Sequence, residues 1–131
     1  MRLSVAPFKN FVLIVGLLGA CAFSHAGELP YDKAAFGAAL AKNEPVIVDF
    51  SASWCPTCKA QKPIVQGLLK EPAMKDVTLF VADYDTETAL KKELRVTQQS
   101  TFVVFKGGKE VARSTGQTDK AVLAEVFGKA L

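Results

Sequence analysis

Strand-like and helix-like segments alternate along the chain after residue 31, and this alternation constrains the fold more than any other feature of the sequence. The run Val46–Phe50 is apolar except for one acid, which is typical of a strand buried on both faces. The pair Gly107–Gly108 predicts the tight turn of a hairpin between two further strands. The pattern predicts an α/β fold: one domain with a mixed central sheet of about four strands flanked by helices.

Local signals place the individual elements in the order α-β-α-β-α-β-β-α. Asp32 can cap the first helix, which runs to about Lys42, and Thr118 can cap the last. Pro56 suits the first turn of the second helix, whereas Pro63 must kink that helix because proline removes a backbone hydrogen bond. The remaining elements are expected at Val46–Phe50, 56–70, Val77–Ala82, Thr86–Leu94, Thr101–Lys106 and Lys109–Thr115. The last helix should turn five apolar side chains to the core: Val122, Leu123, Val126, Phe127 and Leu131.

Residues 1–26 have the three parts of a secretory signal peptide. Two bases, Arg2 and Lys9, precede the apolar run Phe11–Ala20, and Ser24–Ala26 forms a small-residue cleavage site. The apolar run is shorter than the roughly 20 residues of a membrane span, which favours cleavage over an uncleaved anchor. We therefore expect a soluble domain of residues 27–131 in the bacterial periplasm.

The same leader contains a second signal. The segment Leu18–Cys21 resembles a bacterial lipobox, so the alternative is a lipoprotein signal that ends before Cys21 and leaves the domain lipid-anchored through this residue. The ordinary cleavage site at Ser24–Ala26 favours the soluble product. In both cases the domain is exported to a compartment where disulfides form and persist.

Composition excludes several classes of function. The leader contributes two bases and no acid, so the 16 basic and 13 acidic side chains leave a nearly neutral body, which argues against nucleic acid as a partner. The single histidine, His25, lies in the leader. The remaining domain therefore has no Ser-His-Asp triad, no Cys-His nucleophile pair and no metal site with a histidine ligand.

Two cysteines remain beyond the leader, Cys55 and Cys58, in the order Cys-Pro-Thr-Cys. A structural zinc site needs about four ligands, and a disulfide that closes so short a loop stabilises a fold little. The spacing therefore favours a dithiol that cycles between reduced and oxidised forms, and no resident metal or cofactor is expected.

The chain resembles the thioredoxin family over nearly its whole length beyond the leader. The matching segments are Val48–Phe50, Trp54–Lys59, Pro63, Asp85 and Thr101–Gly108. A lone Cys-x-x-Cys is a weak signal, but this one follows a buried strand, opens a kinked helix and precedes a strand-hairpin-helix ending. The resemblance implies a thioredoxin fold and a thiol–disulfide oxidoreductase whose redox-active disulfide is Cys55–Cys58.

The resemblance also implies roles for individual residues. Cys55, at a helix N-terminus that lowers the pKa of a thiol, would be the nucleophile, and Cys58, which we expect to be more sheltered, would resolve the mixed disulfide. Asp49 would be a buried carboxylate near Cys58 that accepts and donates a proton. The alternative for Asp49 is a solvated acid on an edge strand.

Supporting roles are expected for the neighbours of the two cysteines. Trp54 is either part of the core or an aromatic wall beside the first cysteine. Lys59 either favours the thiolates or is an ordinary solvated charge. Pro56 and Thr57 replace the Gly-Pro of thioredoxins, and Pro56 resembles the patterns of glutaredoxins and disulfide oxidases. This departure predicts a less reducing dithiol than that of thioredoxin.

A second departure lies directly before the strand that begins at Thr101. Thioredoxins have a cis-proline there, facing the dithiol, and this chain has Ser100. A cis bond before serine costs about 2.5–4 kcal/mol, so a trans loop is the alternative. The spacing from Asp85 matches thioredoxins without an insertion, which favours a cis-like loop in which Ser100→Pro is stabilising. Loss of the proline puts substrate docking and metal exclusion in question.

The resulting functional hypothesis is an exported thiol–disulfide oxidoreductase that reduces protein disulfides. The body lacks room for the inserted helical domain of dedicated disulfide oxidases. We expect a monomer whose partners are client proteins with disulfides and a membrane-embedded electron donor. One alternative is a disulfide oxidase. The other is a module that binds copper(I) or an iron–sulfur cluster through Cys55 and Cys58, which requires a dimer or an outside ligand.

Overall fold

The computed structural model describes residues 27–131, which form one α/β domain with a mixed sheet between two layers of helices. The strands are β1 (Gly27–Pro30), β2 (Val46–Ser51), β3 (Thr78–Asp83), β4 (Thr101–Lys106) and β5 (Lys109–Thr115). The helices are α1 (Lys33–Ala41), α2 (Pro56–Leu69), α3 (Thr88–Glu93) and α4 (Lys120–Gly128), with a 3-10 turn at Pro72–Met74. This architecture confirms the predicted thioredoxin fold.

The predicted signal peptide, Cys21 and His25 lie outside the described residues. Within residues 27–131, every helix is too short or too polar to cross a membrane.

The sheet has five strands, whereas the sequence pattern predicts about four. The additional strand is β1, which the pattern missed. This strand has four residues and pairs in parallel with β3 at the edge of the sheet. A segment that starts with glycine and ends with proline has little strand propensity of its own. Its backbone hydrogen bonds to β3 and two flanking bonds, from Gly27 N–H to Val77 O (3.0 Å) and from Tyr31 N–H to Val81 O (2.8 Å), hold it in place.

The strand β2 is central, between β3 in parallel and β4 in antiparallel orientation, in the order β1-β3-β2-β4-β5. Because side chains alternate across a strand, Val46, Val48 and Phe50 enter a core with α1 and α3, and Ile47 enters a second core with α2 and α4. Both cores consist of apolar side chains. The apolar run in the sequence is therefore explained by burial of both faces of β2.

The last helix begins one residue later than predicted. Its N-cap is Asp119, whose carboxylate accepts the Val122 N–H (3.0 Å), so the prediction of Thr118 as the cap is wrong. Leu123 and Phe127 are fully buried, four residues apart on one face. The predictions for Val122 and Leu131 are also wrong, since both side chains are exposed, and Val126 is partly buried.

Replacing the two candidate caps separates these assignments. Asp119→Ala should lower the free energy of unfolding by about 1 kcal/mol, because the first turn of α4 loses its capping oxygen. Thr118→Ala is the matched control and should leave the stability nearly unchanged. Urea unfolding monitored by circular dichroism measures both. Equal losses in the two variants would contradict the assignment of Asp119.

Candidate active site

The two cysteines lie where the chain turns from β2 into α2. Cys55 is the N-cap of α2, Cys58 is one turn further on, and the two form a disulfide. The Cys58 N–H donates to Cys55 Sγ at 3.1 Å. Free N–H groups and the positive end of the helix dipole stabilise a thiolate at this position. The geometry therefore favours Cys55 as the sulfur that carries negative charge in the reduced protein.

Neither cysteine is open to solvent in the oxidised protein. The exposed fraction is 1% for Cys55 and 6% for Cys58, so the expectation that Cys58 is the more sheltered of the two is wrong. The ring of Tyr84 packs against the small cluster that the cysteines form with Ala52. The Tyr84 hydroxyl donates to Thr97 O at 2.8 Å, which ties this cover to the loop before β4.

Ser100 completes the cover, and its backbone differs from the cis-like expectation. No peptide bond within residues 27–131 is cis, and Ser100 has a φ of 59°, in the left-handed region. Its N–H donates to Phe50 O (2.8 Å), and its carbonyl accepts the Gly116 N–H (2.9 Å). Proline has neither an N–H nor a positive φ, so the expectation that Ser100→Pro is stabilising is wrong. The loop is fixed by hydrogen bonds to β2 and to the residue after β5.

The Ser100 side chain contacts the reactive sulfurs directly. Its hydroxyl lies 3.0 Å from Cys55 Sγ and 3.1 Å from Cys58 Sγ. Because disulfide sulfurs carry no proton, the hydroxyl is the donor in the oxidised protein. A serine thus occupies the dithiol-facing position with a polar group aimed at both sulfurs.

Asp49 lies on β2, in the wall of a cavity of about 390 Å³ that Cys58 also lines. Its Oδ1 atom is buried without a hydrogen-bond partner among the described residues. Burial raises the pKa of Asp49 to about 7, and the nearby charge of Glu28 adds to the rise. Because β2 is central, the alternative of a solvated acid on an edge strand is wrong. The remaining lining includes Lys59, Lys62 and Asp83.

The other predicted site residues differ in how far they are exposed to solvent. The Trp54 side chain is 54% exposed, so its assignment to the core is wrong, and its indole N–H donates to the Asp85 carboxylate at 2.8 Å. Lys59 is exposed and lines the cavity with Asp49. Pro56 is the first residue of α2 and is exposed, and Thr57 is partly buried. Thr101 is buried, and its hydroxyl donates to Gln98 O at 2.8 Å.

Gln61 supports the site and was not singled out from the sequence. It is 2% exposed, and its amide N–H groups donate to Gln117 O at 2.8 Å and to Ser100 O at 3.4 Å. The signal was present, because Gln61 lies between Cys58 and Val65 at the spacing of the buried face of α2. A polar residue on such a face indicates a buried hydrogen-bonding role. Tyr84, by contrast, carries no comparable signal.

Comparison with known proteins gives a consistent result. A sequence model described as Thioredoxin matches residues 28–129. The thioredoxin of Mycobacterium tuberculosis is 37% identical over 84 residues, which cover 64% of this chain and 72% of the relative. A bifunctional thioredoxin reductase/thioredoxin of Mycobacterium leprae is 35% identical over 92 residues, 70% of this chain but 20% of that longer protein. The crystal structure of Trxlp from Edwardsiella tarda superimposes with a TM-score of 0.75 and 40% identity, covering 77% of this chain and 98% of the other.

The raised pKa of Asp49 predicts how stability depends on pH. Between pH 3.8 and about 7 the carboxyl is ionised in the unfolded chain but protonated in the fold, so the contribution of Asp49 to the free energy of unfolding falls as pH rises through this range and is constant above it. Asp49→Asn has no such penalty. It should match the parent near pH 4 and exceed its stability by up to about 4 kcal/mol at pH 8.

Urea unfolding of the oxidised proteins at both pH values checks this expectation, because oxidised cysteines do not titrate. Glu28→Gln is the comparison variant, since this exposed carboxylate lines the same cavity and its charge adds to the raised pKa of Asp49. Its gain over the parent at pH 8 should have the same sign as that of Asp49→Asn but be much smaller, because burial contributes more to the raised pKa than Glu28 does. An Asp49→Asn gain that is the same at pH 4 and pH 8 would contradict a buried, titrating Asp49.

Proposed function

Because the chain belongs to the thioredoxin family and is a thiol–disulfide oxidoreductase, we propose that it works outside the cytoplasm as a reductase of protein disulfides. The observation that carries the proposal is the position of Cys55. Its sulfur caps α2 and accepts the Cys58 N–H at 3.1 Å, the arrangement that makes a thiol an effective nucleophile.

In the proposed reaction the reduced protein donates two electrons to a client disulfide. The Cys55 thiolate attacks one client sulfur, the client S–S bond breaks, and the other client sulfur leaves as a thiolate. The Cys58 thiol then loses its proton and attacks Cys55 Sγ, which releases the second client thiolate. The products are a client dithiol and the Cys55–Cys58 disulfide.

Asp49 is the proposed acceptor of the proton that Cys58 loses. The two residues line one cavity, and the pKa of Asp49, raised to about 7 by burial, allows both proton uptake and release near neutral pH. A carboxyl with an ordinary pKa near 4 would hold a proton too weakly to return it to a client thiolate. The cavity is also lined by three exposed charged residues, Glu28, Lys59 and Lys62, so it opens to the surface beside them.

The direction and location of the proposed reaction have separate support. The described residues form a minimal domain with four α-helices, without the inserted helical domain of dedicated disulfide oxidases. The leader pattern in residues 1–26 supports export to the bacterial periplasm as a soluble protein, with a lipid anchor on Cys21 as the alternative. We propose that the exported protein is a monomer. Oxidised protein would regain its electrons from a membrane-embedded donor.

Trapping in the native compartment tests this proposal. Cys58→Ser should accumulate mixed disulfides between Cys55 and client proteins, because the resolving thiol is missing. Cys55→Ser should form none, because the nucleophile is missing. Its exchange rate should fall by about 100-fold or more, the typical loss when a catalytic group is removed. Non-reducing electrophoresis and mass spectrometry of periplasmic extracts identify the adducts.

The double variant Cys55→Ser/Cys58→Ser controls for adducts that form through other routes. Two results together support a reductase. Reduced Cys58→Ser captures the client proteins as mixed disulfides, and the reduced parent converts the disulfides of the same clients to dithiols. Absence of adducts with Cys58→Ser, or adducts of equal yield with Cys55→Ser, would contradict the assigned roles. Recovery of the protein in the cytoplasmic fraction alone would contradict export.

A further inference from the structure

Within residues 27–131, the contacts of the Ser100 hydroxyl give it no role in stabilising the fold. The backbone N–H and carbonyl of Ser100 are already bonded to Phe50 and Gly116, so the side chain is not needed to satisfy them. The side chain is 4% exposed, and the two contacts of its Oγ atom are with Cys55 Sγ and Cys58 Sγ. Serine is also uncommon at a φ of 59°, where glycine or asparagine is the ordinary choice.

These observations point from the hydroxyl to the sulfur chemistry. We propose that Ser100 is a catalytic residue whose O–H donates a hydrogen bond to the sulfur that becomes a thiolate during exchange. The proposal rests on disulfide exchange at Cys55, but it is independent of the direction of electron flow and of export.

The hydroxyl keeps its proton throughout the proposed reaction. When an incoming thiolate attacks one sulfur of the Cys55–Cys58 disulfide, a mixed disulfide forms, the Cys55–Cys58 bond breaks, and its electron pair goes to the other sulfur. The Ser100 O–H donates to this leaving thiolate without transferring a proton. Hydrogen bonds to an ionised acceptor are about twice as strong as those between neutral groups, so the contact stabilises the thiolate more than the disulfide. Together with the Cys58 N–H it gives the Cys55 thiolate two donors.

The nearly equal distances of 3.0 and 3.1 Å extend the role to both half-reactions. Rotation about the Ser100 Cα–Cβ bond or of the O–H alone is enough to turn the donor from one sulfur to the other. The same group therefore serves Cys55 when it attacks a client and Cys58 when it resolves the mixed disulfide.

The test measures the thiolate of Cys55 in reduced protein. Ser100→Ala keeps the Cβ atom and the backbone, and removes the donor alone. The rate of alkylation of Cys55 by iodoacetamide, followed against pH and assigned by peptide mass spectrometry, reports the thiolate fraction. Loss of one charge-assisted donor should raise the midpoint of this rate profile by about one pH unit. At pH values below the midpoints of both proteins, alkylation of the variant should therefore be about tenfold slower than that of the parent.

Ser100→Gly is the second variant and separates the hydroxyl from the backbone, because glycine removes the donor and readily adopts a positive φ. An equal shift in both variants is expected. The charged side chains of the surrounding elements are unchanged in all three proteins, so their effects cancel: Glu28, Asp49, Lys59, Lys62, Asp83, Asp85 and Lys91.

An unchanged alkylation profile in Ser100→Ala would overturn the proposal, as would a shift in Ser100→Ala that is absent from Ser100→Gly, since that result indicates a backbone effect. Circular dichroism of the oxidised variants checks that both fold. The outcome is distinct from that of client trapping. A parent protein that captures no client contradicts the proposed function, whereas an unchanged profile in a parent that captures clients contradicts the role of Ser100 alone.

Discussion

The antiparallel pairing of β2 with β4 is the constraint on which the site depends. Phe50, the next-to-last residue of β2, is in register with Thr101 at the start of β4. The chain that leaves β2 towards Cys55 and the chain that arrives at β4 through Ser100 are therefore held side by side. The hydrogen bond from Ser100 N–H to Phe50 O extends this pairing by one residue and places the Ser100 hydroxyl against both sulfurs.

The parallel pairing of β2 with β3 positions the residues on the other side of the turn that carries the cysteines. Ser51 is in register with Asp83, so the residues that follow β3 lie beside the turn that carries the cysteines. From there Asp85 accepts the Trp54 indole N–H. Asp49, two residues before the end of β2, remains within the sheet, where low polarity holds its pKa near 7. Strand register thus determines which groups meet and how strongly each is desolvated.

The sequence was sufficient to predict the elements whose signals are local. A continuous apolar run identified β2, and the Asp32 cap and proline placement identified α1 and α2, because burial and capping leave patterns within a few residues. The chemistry of Cys55 and Cys58 followed from their spacing and from the resemblance to thioredoxins.

Features that depend on tertiary packing were not predictable in this way. The edge strand β1 is held by its neighbour rather than by its own composition, and the burial of Cys55 arises from Tyr84 and the loop before β4. The conformation of Ser100 is fixed by partners 50 residues before it and 16 residues after it. Sequence spacing gave the correct position for this residue but not its backbone angle.

The reduction potential of the Cys55–Cys58 pair tests most directly whether the protein is a reductase. Equilibration of the purified protein with glutathione buffers of known ratio measures it, with the fraction of free thiol read by mass spectrometry. We predict a potential much nearer to about −270 mV, the value of thioredoxin, than to about −120 mV, the value of a strong disulfide oxidase, with Pro56 making it less reducing than thioredoxin. A potential near −120 mV would contradict the proposed direction of electron flow.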